Sequence, residues 1–188
     1  MPRNPQLALF KKGSAAYGGD LLKTRKGRST PRPLAVRSSM HLVLRSSKAR
    51  GEWSFLRHQT KIRQVFEHSA KKWGVRLISL ANVGNHLHLH IQLTSRHTYA
   101  PFIRGTTGAL AMLITGASRW KRRLGGTRGS KARFFDYRPF TRVIVGFRAL
   151  LSLKDYLQIN QLEGFGVGRR RAEFAVRGPD LQKWLSSG

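Results

Sequence analysis

Alternation of hydrophobic and polar residues predicts β-strands in four places along the chain. The clearest is the sequence GNHLHLHIQL at residues 84–93, and strand patterns also occur in SMHLVLRS at 39–46, VRLISLAN at 75–82 and PFTRVIV at 139–145. Successive side chains of a strand point to opposite faces of a sheet. In the clearest strand, one face is therefore apolar (Leu87, Leu89, Ile91, Leu93) and the other polar (His86, His88, His90, Gln92).

Spacings of three and four residues between apolar positions predict helices between these strands. The first runs from Ser54 to a stop at Gly74, with the stripe Ile62, Val65, Phe66, Ala70 and Trp73. The second covers 102–124 and ends at Gly125 and Gly126, and the third covers 147–164. The order β-α-β-β-α-β-α predicts an α+β fold, in which helices pack on a ferredoxin-like antiparallel sheet.

The chain divides into three parts by composition. Residues 1–32 are rich in glycine, proline, serine and basic residues without periodicity, which indicates a basic N-terminal arm. The patterned segments define one folded domain over 33–164, and residues 165–188 form a basic C-terminal tail. A length of 188 residues is consistent with a single well-buried core.

Charge restricts the class of partner. Lysine and arginine number 36 against 8 aspartates and glutamates, which gives a formal net charge of +28. A field of this strength favours a polyanion, and nucleic acid fits better than a membrane because the basic residues follow the whole chain. The absence of cysteine excludes disulfides and thiolate chemistry. Because there is no secretory signal and no long apolar run, we expect a soluble, cytoplasmic, nucleoid-associated protein.

The histidine strand is a candidate metal site. Side chains two residues apart start about 6.5 to 7 Å from each other, so two neighbouring imidazoles can reach one ion. The pair is then His86 with His88 or His88 with His90, and the alternative is an ordinary solvated strand face. A reactive group and a further ligand occur in KDYLQINQLEG, where Tyr156 and Asn160 share one helix face. Read alone, that pair is more typical of packing than of chemistry.

Taken together, these two motifs resemble a known family. GNHLHLHI is similar to the Asn-His-hydrophobic-His strand, and YLQIN to the tyrosine helix, of the single-tyrosine HUH transposases. This family comprises the transposases of small insertion sequences and their relatives associated with repetitive extragenic palindromes. The opening strand MHLVLRS and the segment RFFDYRPF are also similar, and the resemblance covers 33–163. Two positions depart from the pattern, since His90 replaces an aliphatic residue and Gln161 stands where proline is common.

The resemblance implies an HUH endonuclease-type fold and a specific set of roles. The metal ligands would be His86, His88 and Asn160, the ion Mg²⁺ or Mn²⁺, and the nucleophile Tyr156. The implied substrate is single-stranded DNA beside a hairpin, cleaved through a 5′-phosphotyrosine that leaves a free 3′-hydroxyl. A second strand's hydroxyl can attack that covalent bond, so the implied activity is endonuclease and strand transferase, as in transposition.

Basic and aromatic residues between 119 and 138, together with the arginines at 169–171, are candidates for binding the DNA strand. Core packing is the alternative for the aromatics, Phe140 above all, and a solvated run is the alternative for the arginines at 169–171. The candidates are Arg119, Lys121, Arg122, Arg123, Arg128, Lys131, Arg133, Phe135, Arg138, Arg169, Arg170 and Arg171.

Three functions remain open from the sequence. The first is the DNA nuclease and transposase, and the second is a domesticated, non-catalytic nucleic-acid-binding protein on the same scaffold. The third is a structural RNA-associated protein, which would leave the His86, His88, Tyr156 and Asn160 set unexplained. Members of the family are dimers or monomers, so a homodimer is one of two expected states.

Overall fold

The computed structural model describes residues 32–117, 133–136 and 138–178. Short 3₁₀ turns occur at Gly51–Trp53, Phe55–His58 and Arg96–Thr98. The regular elements, in chain order, are β1 (Met40–Arg45), α1 (Gln59–Trp73), β2 (Val75–Asn82), β3 (His86–Leu93), α2 (Tyr99–Thr115), β4 (Phe140–Val143), α3 (Phe147–Gly164) and α4 (Arg169–Arg177).

The four strands form one sheet in the order β2-β3-β1-β4, and every neighbouring pair is antiparallel. The histidine strand β3 and the opening strand β1 are therefore the two central strands. This order confirms the predicted α+β fold with a ferredoxin-like antiparallel sheet and packed helices. It also brings the polar faces of β1 and β3 side by side, although the two strands are far apart in sequence.

One face of the sheet carries the main core. The predicted apolar face of β3 is fully buried, and so is the matching face of β1. Helices α1 and α2 cover these side chains because their own apolar stripes, predicted from spacing in α1, face the sheet. The largest fully buried side chains here include Phe55, Phe66, Phe102, Met40, Leu42, Leu44, Ile62, Leu87, Leu89, Ile91, Leu93 and Leu110.

Strand β2 contains a bulge that reverses which side chains face the core. Its pairing with β3 shifts between Leu77 and Ser79, so Ile78 is an additional residue and is partly exposed. Before the bulge Leu77 packs in the main core. After it Ala81 lies on the opposite face, in a second apolar cluster beneath α3.

Two helix boundaries follow from glycine in the left-handed conformation. Gly74 ends α1 with φ 61°, as the sequence predicts. Gly116 ends α2 with φ 64°, so the prediction that this helix continues to residue 124 is wrong for the described residues. Part of the predicted basic tail is helical, since α4 packs through Ala172, which is completely buried. No helix in the described ranges is long and apolar enough to cross a membrane.

Helix α3 lies on the other face of the sheet. Leu153 and Leu157 are buried against Ala81 and Ile144, with Leu150 packed beside them. These contacts turn the next side of the helix toward the polar face of β1 and β3. The apolar anchor of α3 thus determines which of its polar residues can meet the histidines.

Candidate active site

Tyr156 of α3 lies directly against the histidines of the sheet. Its ring centroid is 5.4 Å from that of His88 and 5.7 Å from that of His41, and both contacts are edge to face. The tyrosine is half-buried, so its ring is packed while part of the side chain remains accessible. The structure therefore brings the predicted nucleophile together with one of the two predicted metal histidines.

The three imidazoles form a stack across the two central strands. His88 is nearly parallel to His86 at 6.1 Å and to His41 at 5.5 Å between ring centroids. Nε2 of His41 is 3.3 Å from Nδ1 of His88, within hydrogen-bonding distance. His88 is therefore held from both sides, with its ring orientation defined by its neighbours.

A hydrogen bond to Asn85 determines which ring nitrogen of His86 is available to a metal ion. Nδ1 of His86 is 2.6 Å from the side-chain oxygen Oδ1 of Asn85, and an amide oxygen can only accept a hydrogen bond. Nδ1 is thus the protonated nitrogen of a neutral His86, which leaves Nε2 with a lone pair. Ligating histidines are commonly oriented in this way by a partner on the other ring nitrogen.

Burial keeps these histidines neutral. Desolvation, with smaller contributions from Arg142 and His90, lowers the pKa of His41 from 6.5 to about 4. Desolvation is again the main cause for His88, where the charges of His41 and His86 add to it and the pKa falls to about 3. The pKa of His86 is lowered mainly by burial and then by Arg45, with Asp136 opposing the shift. Neutral imidazole is the form that can bind a metal ion.

Asn160 lies one helical turn after Tyr156 and is buried. Its Nδ2 donates a hydrogen bond of 2.6 Å to the backbone oxygen of Tyr156. Because that carbonyl can only accept, the bond fixes the amide orientation and identifies Oδ1 as the atom left for a ligand. Tyr156 and Asn160 therefore share one helix face. The amide oxygen of Asn160 is of a type that binds hard divalent cations.

The end of α3 that carries Asn160 is fixed to the turn between β2 and β3. Gln161 accepts a hydrogen bond of 3.3 Å from the backbone N–H of Asn82, while Gly164 lies so close to the carbonyl oxygen of Asn82 that an added Cβ would clash with it. The side chain of Asn82 in turn bonds the backbone of Phe55 and Gly84. Gln161, which departs from the family pattern, thus has a structural contact of its own.

His90, the third histidine of β3, is buried on the same face, but its Nε2 has no hydrogen-bond partner among the described residues. Burial, followed by the charge of Lys154, lowers its pKa. Within the part of the chain that the structure describes, no three His, Asp or Glu side chains are grouped so as to hold a metal ion. The set His86, His88 and Asn160 contains two residues of that kind and an amide.

The predicted DNA-binding residues fall into three groups. Arg133 and Arg138 are exposed, whereas Phe135 is half-buried and stacks on Phe55 at 6.1 Å. Arg169, Arg170 and Arg171 are exposed on α4, where Arg169 pairs with Glu163 at 3.1 Å and with Glu173 at 2.8 Å. Six candidates lie outside the described residues: Arg119, Lys121, Arg122, Arg123, Arg128 and Lys131.

Sequence reasoning did not single out His41 and Arg142. His41 pairs across the sheet with His90 on one side and with Arg142 on the other, so all three share the face beneath α3. The strand alternation in MHLVLR and FTRV places both residues opposite the core positions. Their proximity to the histidine strand depends on strand order, which the alternation does not contain.

Comparison with known proteins identifies the family of the chain. A family model described as IS200-like transposase matches residues 35–137, which is more than half of the chain and includes the histidine strand. The chain therefore belongs to the IS200-like transposase family. No protein of curated function matches it in sequence.

Comparison with solved structures also finds transposases. One is a REP-associated tyrosine transposase bound to a REP hairpin, with a TM-score of 0.55, 10% identity, and coverage of 73% of this chain and 74% of that chain. Another, assigned as a transposase of Deinococcus radiodurans R1, has a TM-score of 0.43 and 16% identity over 73% of this chain and 98% of that chain. At these identities the first likeness establishes the fold.

Proposed function

We propose that this protein is a metal-dependent endonuclease and strand transferase for single-stranded DNA, with Tyr156 as its nucleophile. The observation that carries the proposal is the contact between the Tyr156 ring and the stacked histidines His88 and His41. Packing alone does not require a tyrosine beside neutral, oriented imidazoles, because Leu153 and Leu157 already anchor its helix. The combination is explained by chemistry at a phosphodiester.

In the proposed reaction, the hydroxyl oxygen of Tyr156 attacks the phosphorus atom of the scissile phosphodiester. Tyr156 loses its phenolic proton as its oxygen bonds to phosphorus, and the bond from phosphorus to the 3′-oxygen breaks. The leaving oxygen takes up one proton to become a free 3′-hydroxyl, so protons balance and a 5′-phosphotyrosine remains. Because one ester bond replaces another, a second strand's 3′-hydroxyl can reverse the step and join the DNA. Packing of the ring against His88 and His41 limits its rotation and holds the hydroxyl in one direction.

The residues present fit a divalent cation. Nε2 of His86 carries a lone pair, the imidazoles are neutral, and Oδ1 of Asn160 is not the atom used in the hydrogen bond to Tyr156. We propose His86, His88 and Asn160 as the ligands of Mg²⁺ or Mn²⁺. When bound, such an ion polarises the phosphate and lessens its negative charge.

Single-stranded DNA beside a hairpin is the proposed substrate. The similar REP-associated transposase was solved with a REP hairpin. The +28 charge of the chain favours any polyanion, and the resemblance to the single-tyrosine HUH transposases implies a single strand. We propose that the arm at 1–32, the basic candidates between residues 119 and 138 and the exposed arginines of α4 contact the backbone phosphates.

The test is formation of a covalent protein–DNA adduct. The parent and Tyr156→Phe would be incubated with hairpin-flanked single strands and Mn²⁺, and adducts would be detected on denaturing gels. We expect an adduct for the parent and none for Tyr156→Phe, because only the attacking oxygen has been removed. Tyr99→Phe is the matched control, since Tyr99 is buried with α2 on the other side of the sheet.

An adduct of equal yield in Tyr156→Phe would refute the assignment of the nucleophile. If the parent binds these strands but forms no adduct with any of them, the better description is a nucleic-acid-binding protein without catalysis.

A further inference from the structure

A cleft of about 330 Å³ opens beside Tyr156, between β4 and the first half of α3. His41 and Tyr156 line it, whereas His86, His88 and Asn160 do not. The cleft therefore adjoins the proposed nucleophile without including the proposed metal ligands. The proposed cleavage step by itself places no group in this cleft.

The lining combines positive charge with apolar surface. Arg142 of β4 and Arg177 of α4 supply the charge, and Phe140, Ala149 and Leu153 supply the apolar part. Phe140 also stands edge-on to His41, with 6.2 Å between ring centroids. Guanidinium groups beside an aromatic ring are the combination that binds a phosphate and a base of one nucleotide.

The strand register explains why Arg142 lies next to the reaction centre. Arg142 is directly opposite His41, which is directly opposite His90, so the three residues form one row across β4, β1 and β3. Side chains opposite each other in antiparallel strands are neighbours on one face. A phosphate held at Arg142 would therefore be adjacent to one held at Tyr156.

Arg177 is engaged only weakly by protein. Its Nε lies 3.7 Å from a carboxylate oxygen of Asp155, and the two side chains are 54% and 39% exposed. Exposed ion pairs of this kind contribute little, so a phosphate can replace the carboxylate as the partner. The volume is at the small end of ligand pockets, roughly 300–1,000 Å³, and is suited to one nucleotide rather than a duplex.

We infer that this cleft is a subsite for the nucleotide that flanks the scissile phosphate, with Arg142 and Arg177 binding the neighbouring phosphodiester and Phe140 contacting its base. The inference rests on the proposed function, because it takes the scissile phosphate to lie at Tyr156. Such a subsite would make binding depend on one position of the DNA strand, whereas the net charge of the chain attracts any single strand.

The experiment measures binding of single strands by the full chain in the non-cleaving background Tyr156→Phe. Methylphosphonate, which removes the charge of one phosphate, is placed in turn at each position around the cleavage site. We expect Arg142→Gln to weaken binding of the unmodified strand about tenfold, the size expected for one charge-assisted contact. The same loss should come from methylphosphonate at one flanking position, and the two changes together should give no further loss. Arg177→Gln should couple to the same position.

Arg148→Gln is the matched control, because it removes the same charge from the exposed surface of α3 outside the cleft lining. It should weaken all strands equally. If Arg142→Gln and Arg177→Gln also weaken every modified strand by one common factor, the subsite does not exist. If the coupling appears but the parent never forms an adduct, the cleft binds a nucleotide, but the proposed function fails and with it the placement of that nucleotide beside a scissile phosphate. If the parent forms adducts without the coupling, only the subsite is refuted, and failure to bind single strands would refute both.

Discussion

The two faces of the sheet use the same strands for opposite purposes. On the face covered by α1 and α2, β1 and β3 present only apolar side chains, and all of them are buried. On the face covered by α3, the same strands present histidines, and the neighbouring strand β4 adds an arginine, with one small apolar cluster as the anchor. The first face supplies most of the buried apolar surface, which allows the second to bury polar groups at a cost to stability.

The largest expected effect distinguishes His88 from His90, two neighbouring histidines on the face beneath α3. His88→Ala should lower the cleavage rate by about a hundredfold or more, because a metal site contributes several kcal/mol to the transition state. His90→Ala should retain most of the activity, since strand geometry allows one neighbouring pair to bind the ion and the proposed pair is His86 with His88. Single-turnover cleavage in Mn²⁺ measures both. If His90→Ala abolishes cleavage and His86→Ala does not, the metal-binding pair is His88 with His90.

A substitution at Leu89, which lies between these histidines in sequence, tests the face covered by α1 and α2. Leu89→Ala should lower the free energy of unfolding by about 2 to 5 kcal/mol, because Leu89 is completely buried and the substitution leaves a cavity. Cleavage per folded molecule should change little. Urea denaturation and active-site titration measure the two quantities separately. Loss of activity without loss of stability would show that the faces are not independent.

The burial of neutral histidines predicts a pH-dependent cost. The unfolded chain takes up protons near pH 6.5, but His41 and His88 in the folded chain do so only near pH 4 and pH 3. Between those values the unfolded state binds more protons, so stability falls as the pH falls. We expect a loss of roughly 4 to 6 kcal/mol from pH 6.5 to pH 4 in EDTA. His41→Asn should flatten this profile, and an unchanged slope would show that His41 does not contribute to it.

The smallest expected effect concerns the attachment of α3 to the sheet. Gln161→Ala removes the hydrogen bond to the backbone of Asn82 and should cost about 1 kcal/mol. A modest fall in cleavage should accompany it, because Asn160 is the preceding residue. Gln158→Ala is the matched control, since Gln158 is exposed on the same helix. Equal effects of both substitutions on stability and cleavage would assign no positioning role to Gln161.

The sequence predicted these two faces well where the pattern is local. Strict alternation in β3 separated its leucines from its histidines, and helical spacing placed Tyr156 and Asn160 on one face of their helix. Both rules depend only on neighbours along the chain, so tertiary structure did not alter them.

The parts that the sequence did not predict depend on contacts between distant segments. His41 and Arg142 reach the site because β1 lies between β3 and β4, and a strand pattern does not contain that order. The predicted end of α2 was too late because glycines occur throughout the segment. The left-handed conformation of Gly116 identifies it as the glycine that ends the helix. The resemblance to a family supplied Tyr156 and Asn160 as a functional pair, which spacing alone did not distinguish from packing.

The bulge at Ile78 has a consequence for how this chain can change by insertion and deletion. Ile78 has no partner on β3, so its deletion would restore unbroken alternation and leave every later side chain of β2 opposite its present partner. Insertion of one residue between Ser79 and Leu80 would instead move every later side chain of β2 to the other face. Leu80 would then replace Ala81 under α3, where a small residue now fits, and Asn82 would lose its contacts with Phe55 and Gly84. An insertion of one codon after the bulge would thus be more damaging than the loss of Ile78, which is exposed.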